Sequence, residues 1–415
     1  MKTRLAASAL LALAVLCGAA PAAAQDKTLR LAVGDPARKG REAPVVLDAV
    51  TDTRTGDLLT PAQMAARLAG ARLVLVGESH TDVDFHRAQL RVIQELRKAG
   101  RQVLIGLEMY PYPEQPFLDQ WTRGLLTEQG FVELSRWYGN WGYHWDYYRD
   151  IFLYARDHGL PMFAVNAPRA VVTAVRQKGF DSLTPEEAAH VPRRVDTASD
   201  EHRALFRAYF GDDDPLHGGM SPEQLDGMFA AQATWDAAMA HNALKALGRH
   251  GGPNAVMVVL AGTGHVAYGL GIQRQALVQD PALQGKVATV VPVPVRDGDG
   301  HAVAAVQASY ADFVWGLPPQ AAPLYPSLGL SMASGEGEAG RKVIFVAEGS
   351  AAARAGFQVG DLLLAMDGAP LTDKESFHRA LAAKRWGDAA SFSVRRGDAA
   401  LDLQAVFRRQ ATLSE

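Results

Sequence analysis

From residue 60 onward, short runs of almost wholly apolar residues alternate with longer stretches in which apolar positions recur every three or four residues. The runs at residues 72–76, 103–107, 161–165, 255–260 and 287–293 are too short for helices and apolar on both faces, as strands inside a covered sheet are. The patterns between them predict helices: one opening at Thr60 and Pro61, which suit the cap and first-turn positions, and others over residues 85–98, 128–137, 145–158 and 222–249, with one more opening at Pro168. Strand and helix in alternation predict an α/β domain, a mainly parallel sheet with helices on both faces. Residues 25–59 hold two strand-like pieces, 29–33 and 45–48. Residues 298–325, with Gly298, Gly300, Pro318, Pro319 and Pro323, read as a linker. The expected organisation is a leader at 1–24, an N-terminal segment at 25–59, the α/β domain at 60–297, the linker, and a small, β-rich α+β module at 326–408.

In a parallel sheet, ligands collect beyond the carboxyl ends of the strands. Those ends carry the chain's distinctive chemistry. Glu78 and His80 follow the first run, with His86 shortly after; Glu108 follows the second; Asn166 and Arg169 follow the third; Gly262-Thr263-Gly264-His265 follows the fourth.

Composition narrows the functional classes. A hydrophobic content of 48% over 415 residues supports well-packed domains rather than a disordered chain. The formal net charge of -3, without a long run of one sign, provides no polycationic surface, so nucleic acid is not an expected partner. Lys2 and Arg4 precede an apolar run over residues 5–16, and Ala22-Ala23-Ala24 closes it. This is the layout of a secretory signal cut after Ala24. The run is too short to span a bilayer. Cys17 is the one cysteine, and Leu16 stands where a lipoprotein signal takes a small residue, so membrane attachment follows only if Cys17 is lipidated. A chain cut after Ala24 has no cysteine, and a metal site in it must draw on His, Glu, Asp or Tyr.

Carboxylates and imidazoles gathered at one sheet edge suit a divalent metal such as zinc, iron or manganese, with His80 and His265 as ligands. Water bound to such a metal would be activated, and a free Glu would take its proton. His80 and His86 are six positions apart, which is not a helical metal spacing, and ordinary hydrogen bonding of the same residues remains open. A second feature is the run Trp137 to Tyr148, in which seven of twelve residues are Trp or Tyr. Rigid aromatic area of this kind suits a flat apolar ligand such as a porphyrin or a sugar, or fills a core. Tyr110, Tyr143, His144, Tyr147 and Tyr148 add potential haem contacts, since haem iron is held by His or by Tyr.

Gly77-Glu78-Ser79-His80 with His86, Leu107-Glu108-Met109, Pro161-Met162-Phe163-Ala164-Val165-Asn166-Ala167-Pro168-Arg169 and Gly262-Thr263-Gly264-His265 together resemble the ChaN family of haem-binding, iron-regulated envelope proteins. The family shares a wider group with the TIKI proteases and the erythromycin esterases. The resemblance covers roughly residues 60–295. It implies an α/β fold, haem in an aromatic pocket, a role in haem or iron uptake from the periplasm, and paired subunits whose haems face one another. The positions it carries over are Glu78, His80, His86, Glu108, Asn166, Arg169 and His265. The wider group implies an alternative, a metal-dependent peptidase or esterase in which Glu78, His80, Glu108 and His265 are catalytic. Arg169 would clamp a propionate in one reading and a substrate carboxylate in the other.

The stretch from Val346 to Gly368, with Gly349, Gly356, Gly360-Asp361 and Asp367-Gly368, resembles PDZ domains of bacterial envelope proteins. The resemblance implies capture of a peptide or protein C-terminus by strand addition. Leu328, Gly329, Leu330 and Ser331 stand where the carboxylate-binding loop belongs, and the helix through His378 would wall the groove.

Overall fold

The computed structural model describes residues 27–209, 220–333 and 341–409. The expected signal at 1–24, with Cys17, lies outside them, as do residues 334–340 of the expected PDZ range. The described residues form two compact units. The larger joins the chain before Arg136 to Trp145–Ala322; the smaller joins Arg136–His144 to the chain from Pro323 onward.

The strands are, in chain order, β1 (Glu42–Pro44), β2 (Val50–Asp52), β3 (Leu58–Leu59), β4 (Leu73–Glu78), β5 (Gln102–Pro111), β6 (Met162–Asn166), β7 (Ala255–Gly262), β8 (Val287–Pro294), β9 (Ala305–Gln307), β10 (Phe313–Leu317), β11 (Leu330–Met332), β12 (Arg341–Val346), β13 (Leu362–Met366), β14 (Ala369–Pro370), β15 (Ala389–Arg396) and β16 (Ala399–Val406). An eight-stranded sheet in the order β3-β2-β10-β8-β4-β7-β5-β6 organises the larger unit. All its pairings from β10 to β6 are parallel, and β2 and β3 are added antiparallel at one edge. Every residue of β4 and β7 is buried, because helices such as Val83–Lys98 and Pro222–His250 cover the sheet. Leu73, Leu75, Leu104, Met257, Val259 and Met239 share one apolar core.

Three boundaries differ from the sequence reading. Residues 298–325 are not a linker: β9 pairs with β1, and β10 continues the central sheet beside β8. Phe313–Leu317 is buried throughout, and the prolines that suggested a linker begin just after it. Residues 25–59 are likewise part of the α/β unit through β2 and β3, although residues 29–33 form no strand; Leu29 and Val33 are buried in the core without one. Finally, β4, β5 and β7 outrun their apolar stretches, so Glu78 and Glu108 are the strands' own residues rather than loop residues.

The smaller unit is an antiparallel sheet in the order β11-β12-β13-β15-β16, with β14 on β13. Its core gathers Val343, Phe357, Leu363, Phe377, Phe392 and Phe407. Buried Asp361 is held by Arg396 at 2.7 and 2.9 Å. Gly329 has φ +76°, and a Cβ there would meet Ser350 Cβ at 2.3 Å. Only glycine can turn the chain at this point.

Candidate functional site

At the carboxyl ends of β4, β5 and β7 two histidine–carboxylate clusters meet. Glu78, the last residue of β4, turns its side chain to three polar groups, two of them within hydrogen-bond reach of Oε1 and one at ion-pair distance from Oε2. Its Oε1 lies 2.6 Å from His80 Nδ1 and accepts from the Tyr148 hydroxyl at 2.7 Å; its Oε2 lies 3.2 Å from His86 Nδ1. His86 is placed by the helix Val83–Lys98, which starts at Asp82 because the Asp82 side chain accepts from the Asp84 amide. The His86 ring packs on Tyr148 at 4.2 Å and Tyr147 at 6.0 Å, and its Nε2 faces the His80 carbonyl at 3.3 Å. Burial alone would push the Glu78 carboxyl up. The His86 charge and the hydrogen bonds from His80 and His86 outweigh it and hold Glu78 well below the usual carboxylate range.

The second cluster is built around His265. Glu108 Oε1 lies 3.3 Å from His265 Nε2, and its Oε2 accepts from the Gly262 amide at 2.6 Å. On the other side of the ring, Nδ1 lies 2.6 Å from Asp236 Oδ1 and 2.9 Å from the Gln232 amide. His202 Nε2 faces the second Asp236 oxygen at 3.4 Å. Burial would push the His265 imidazolium down, but two flanking carboxylates, Glu108 and Asp236, push it up to about 10. Glu108 is held low in turn, against its own burial, by His265. Burial pushes the neighbouring His202 down.

The clusters touch at Gly262. A Cβ there would lie 3.1 Å from His80 Cε1 and 3.7 Å from Glu108 Oε2. Glu78, His80, His86, Glu108 and His265 therefore form one buried array. Asn166 supports it from behind, donating to the Glu108 carbonyl at 2.9 Å. Arg169 stands exposed at the first turn of the helix Arg169–Lys178.

Several predicted site residues lie elsewhere. Tyr110 is wholly buried, with its hydroxyl 2.7 Å from Ser135 Oγ and its ring among Phe131 and Phe152, which makes it a packing residue. Tyr143 and His144 belong to the smaller unit, where the Tyr143 carbonyl accepts from Trp137 Nε1 and the His144 ring stacks on Tyr325. Among the described residues, no group of three or more His, Cys, Asp and Glu side chains is placed to hold a metal ion. The expected zinc, iron or manganese on His80 and His265 has no support in this arrangement, in which His80 Nδ1 and both ring nitrogens of His265 lie against carboxylates.

The structure adds Gln232, Asp236, His202 and Tyr209. Gln232 and Asp236 sit four apart on the helix Pro222–His250 and are buried among alanines. That spacing of two polar residues on an otherwise apolar face was the available signal. The Tyr209 hydroxyl is buried and, among the described residues, has no hydrogen-bond partner, with its ring beside Gly264, 3.5 Å from where a Cβ would stand. A buried orphan hydroxyl is costly, and nothing in the sequence marked it.

In the smaller unit Leu328 is buried, and the carbonyls of Leu328 and Gly329 accept from Ala352 and Ala347 at 2.8 and 2.9 Å. These bonds fix the loop before β11, a strand at the edge of its sheet.

Comparison with known proteins bears on both units. Residues 64–275 match the family model described as haem-binding uptake, Tiki superfamily, ChaN, and residues 326–406 match the PDZ domain model. The Arabidopsis thaliana protein RETICULATA-RELATED 5, chloroplastic, is 25% identical over 213 residues, 49% of this chain; the chain covers 28% of that relative's length. Among solved structures, ChaN of Campylobacter jejuni with cofacially bound haem is 19% identical with a TM-score of 0.49, covering 64% of this chain and 95% of that one. The HtrA3 PDZ domain bound to a phage-derived ligand is 26% identical with a TM-score of 0.18, covering 20% of this chain and 83% of that one. The family model spans half of the chain and takes in Glu78, Glu108 and His265: this chain belongs to the ChaN family of the Tiki superfamily, with a PDZ domain after it.

Proposed function

We propose that the protein binds haem for its uptake at the bacterial cell envelope, and that its PDZ domain captures the C-terminus of a peptide or partner protein. The observation that carries the haem reading is the Tyr209 hydroxyl, buried beside the Gly264 turn without a partner among the described residues. Burial pushes this phenol well above its ordinary range, so it stays protonated on its own. Haem would supply ferric iron, which a tyrosine oxygen is able to hold. Tyr209 would hold the iron, and Arg169, at the rim, a propionate. Glu78, His80, Glu108 and His265 organise the floor of the site.

The electrostatics favour binding over hydrolysis. A general base works best with a pKa near the operating pH. His265 is pushed up to about 10 and stays protonated at neutral pH, while Glu78 is held low by His86 and His80 and is a weak base. Neither is poised to shuttle a proton. The test is a haemin titration followed at the Soret band. Wild type and Glu78→Ala are expected to bind, whereas Tyr209→Phe loses most of the signal. Full retention of the band in Tyr209→Phe removes the support for this reading.

A further inference from the structure

One piece of the smaller unit comes from the middle of the α/β sequence. Arg136–His144 leaves the larger unit at Ser135 and rejoins it at Trp145, yet it packs with the chain from Pro323 onward. Its anchor is the helix Lys374–Ala382, the expected wall of the peptide groove. Phe377 is buried in the core of that unit, with Ala380 and Leu381 packed against it. Glu375 and His378 lie on another face of the helix, and that face meets the segment. Arg136 Nε donates to Glu375 Oε2 at 2.9 Å, and His378 Nδ1 donates to the Tyr138 carbonyl at 3.2 Å. The approach is close enough to need glycine: a Cβ on Gly142 would lie 2.6 Å from the His378 ring, and one on Gly139 would lie 3.0 Å from Glu375 Oε2. At the end of the segment, the His144 ring stacks on Tyr325 at 3.4 Å and 4°, and Arg385 lies over Tyr325 at 4.9 Å. An ion pair, a hydrogen bond, a ring stack and two glycines shaped to the helix make a fitted contact.

We propose that Arg136–His144 is an internal ligand of the PDZ domain, seated on the helix wall at His378, and that an external peptide must displace it to bind. The segment already spends the His378 donor that a peptide would use. Because it is tethered, it competes at an effective concentration in the millimolar range. If it is seated about 90% of the time, external peptides bind about tenfold more weakly than the bare groove allows.

Two measurements on the full chain with Cys17→Ser test this. A Cβ on Gly139 would stand 3.4 Å from Glu375 Cβ, close to the spacing a disulfide needs. The pair Gly139→Cys and Glu375→Cys is therefore expected to form an intramolecular bridge under mild oxidation, detected by peptide mass. Absence of the bridge in a folded protein overturns the seating. Phage-displayed random C-terminal peptides are then panned against the oxidised and reduced forms of that variant, and against Arg136→Glu, a single change at an exposed side chain. The reduced form and Arg136→Glu are expected to capture phage, and the oxidised form, whose segment cannot leave, at least about tenfold less. Equal capture by all three, including none by any, overturns the competition.

Discussion

His265 is held between two carboxylates, and removing one of them has a cost whose size and pH dependence follow from the geometry. The rise of His265 from 6.5 to about 10 corresponds to about 5 kcal/mol of preference for the imidazolium, at roughly 1.4 kcal/mol per tenfold. Asp236, at 2.6 Å, and Glu108, at 3.3 Å, share that preference. Asp236→Asn keeps the shape and a hydrogen bond but removes one charge, so it should cost about 2–3 kcal/mol near neutral pH. The sign with pH is fixed by linkage. A raised histidine stabilises the fold fully below its unfolded value of 6.5, and that contribution is lost as pH climbs through about 10. Above that, the wild type buries Asp236 beside a neutral ring, and the Asn variant loses little or gains. Urea unfolding of both proteins at about pH 7 and about pH 10.5 measures the difference; lysine and tyrosine titration is common to both and cancels. An equal loss at the two pH values would refute the charged bridge and reduce Asp236 to a hydrogen-bonding residue.

Glu78 and Glu108 are both held below the ordinary carboxylate value of 4.5, so their stabilisation is present above that pH and lost as pH falls. Glu78→Gln with Glu108→Gln should therefore be less stable at pH 7 yet show a flatter acid limb in unfolding experiments; an unchanged acid limb would count against the histidine pairing. Gly316→Ala places a Cβ 2.0 Å from the Val46 carbonyl, an overpacking worth roughly 1–3 kcal/mol by thermal unfolding. No loss there would return residues 298–325 to a linker. Tyr148→Phe removes the hydroxyl that donates to Glu78 and should cost about 1–2 kcal/mol, whereas the same change at a solvent-exposed tyrosine should be silent. Gly329→Pro should abolish capture of C-terminal peptides while leaving the Soret band of added haemin intact, since the loop before β11 belongs to the smaller unit. Loss of both signals would point to general misfolding.

The alternating α/β order was legible in the chain alone, because an apolar run of that length, buried on both faces, is too short for a helix. It also brought Glu78, Glu108 and His265 to one edge, since strands that run parallel end together. The glycine and aspartate punctuation of the PDZ module was equally local. The pairings between distant residues, by contrast, emerged only on folding, since local patterning does not say which partner a residue meets. Phe313–Leu317 became a central-sheet strand because β8 offered a parallel partner, despite the prolines beyond it. Tyr110 went to the packing and Tyr148 to Glu78, although both lie in aromatic-rich sequence. Asp236 reached His265 from a helix whose alanines concealed it. Arg136–His144 joined a unit whose remaining chain begins only at Pro323. Each of these turns on which neighbour supplies the compensating charge, donor or apolar surface, and a neighbour exists only once the chain has folded.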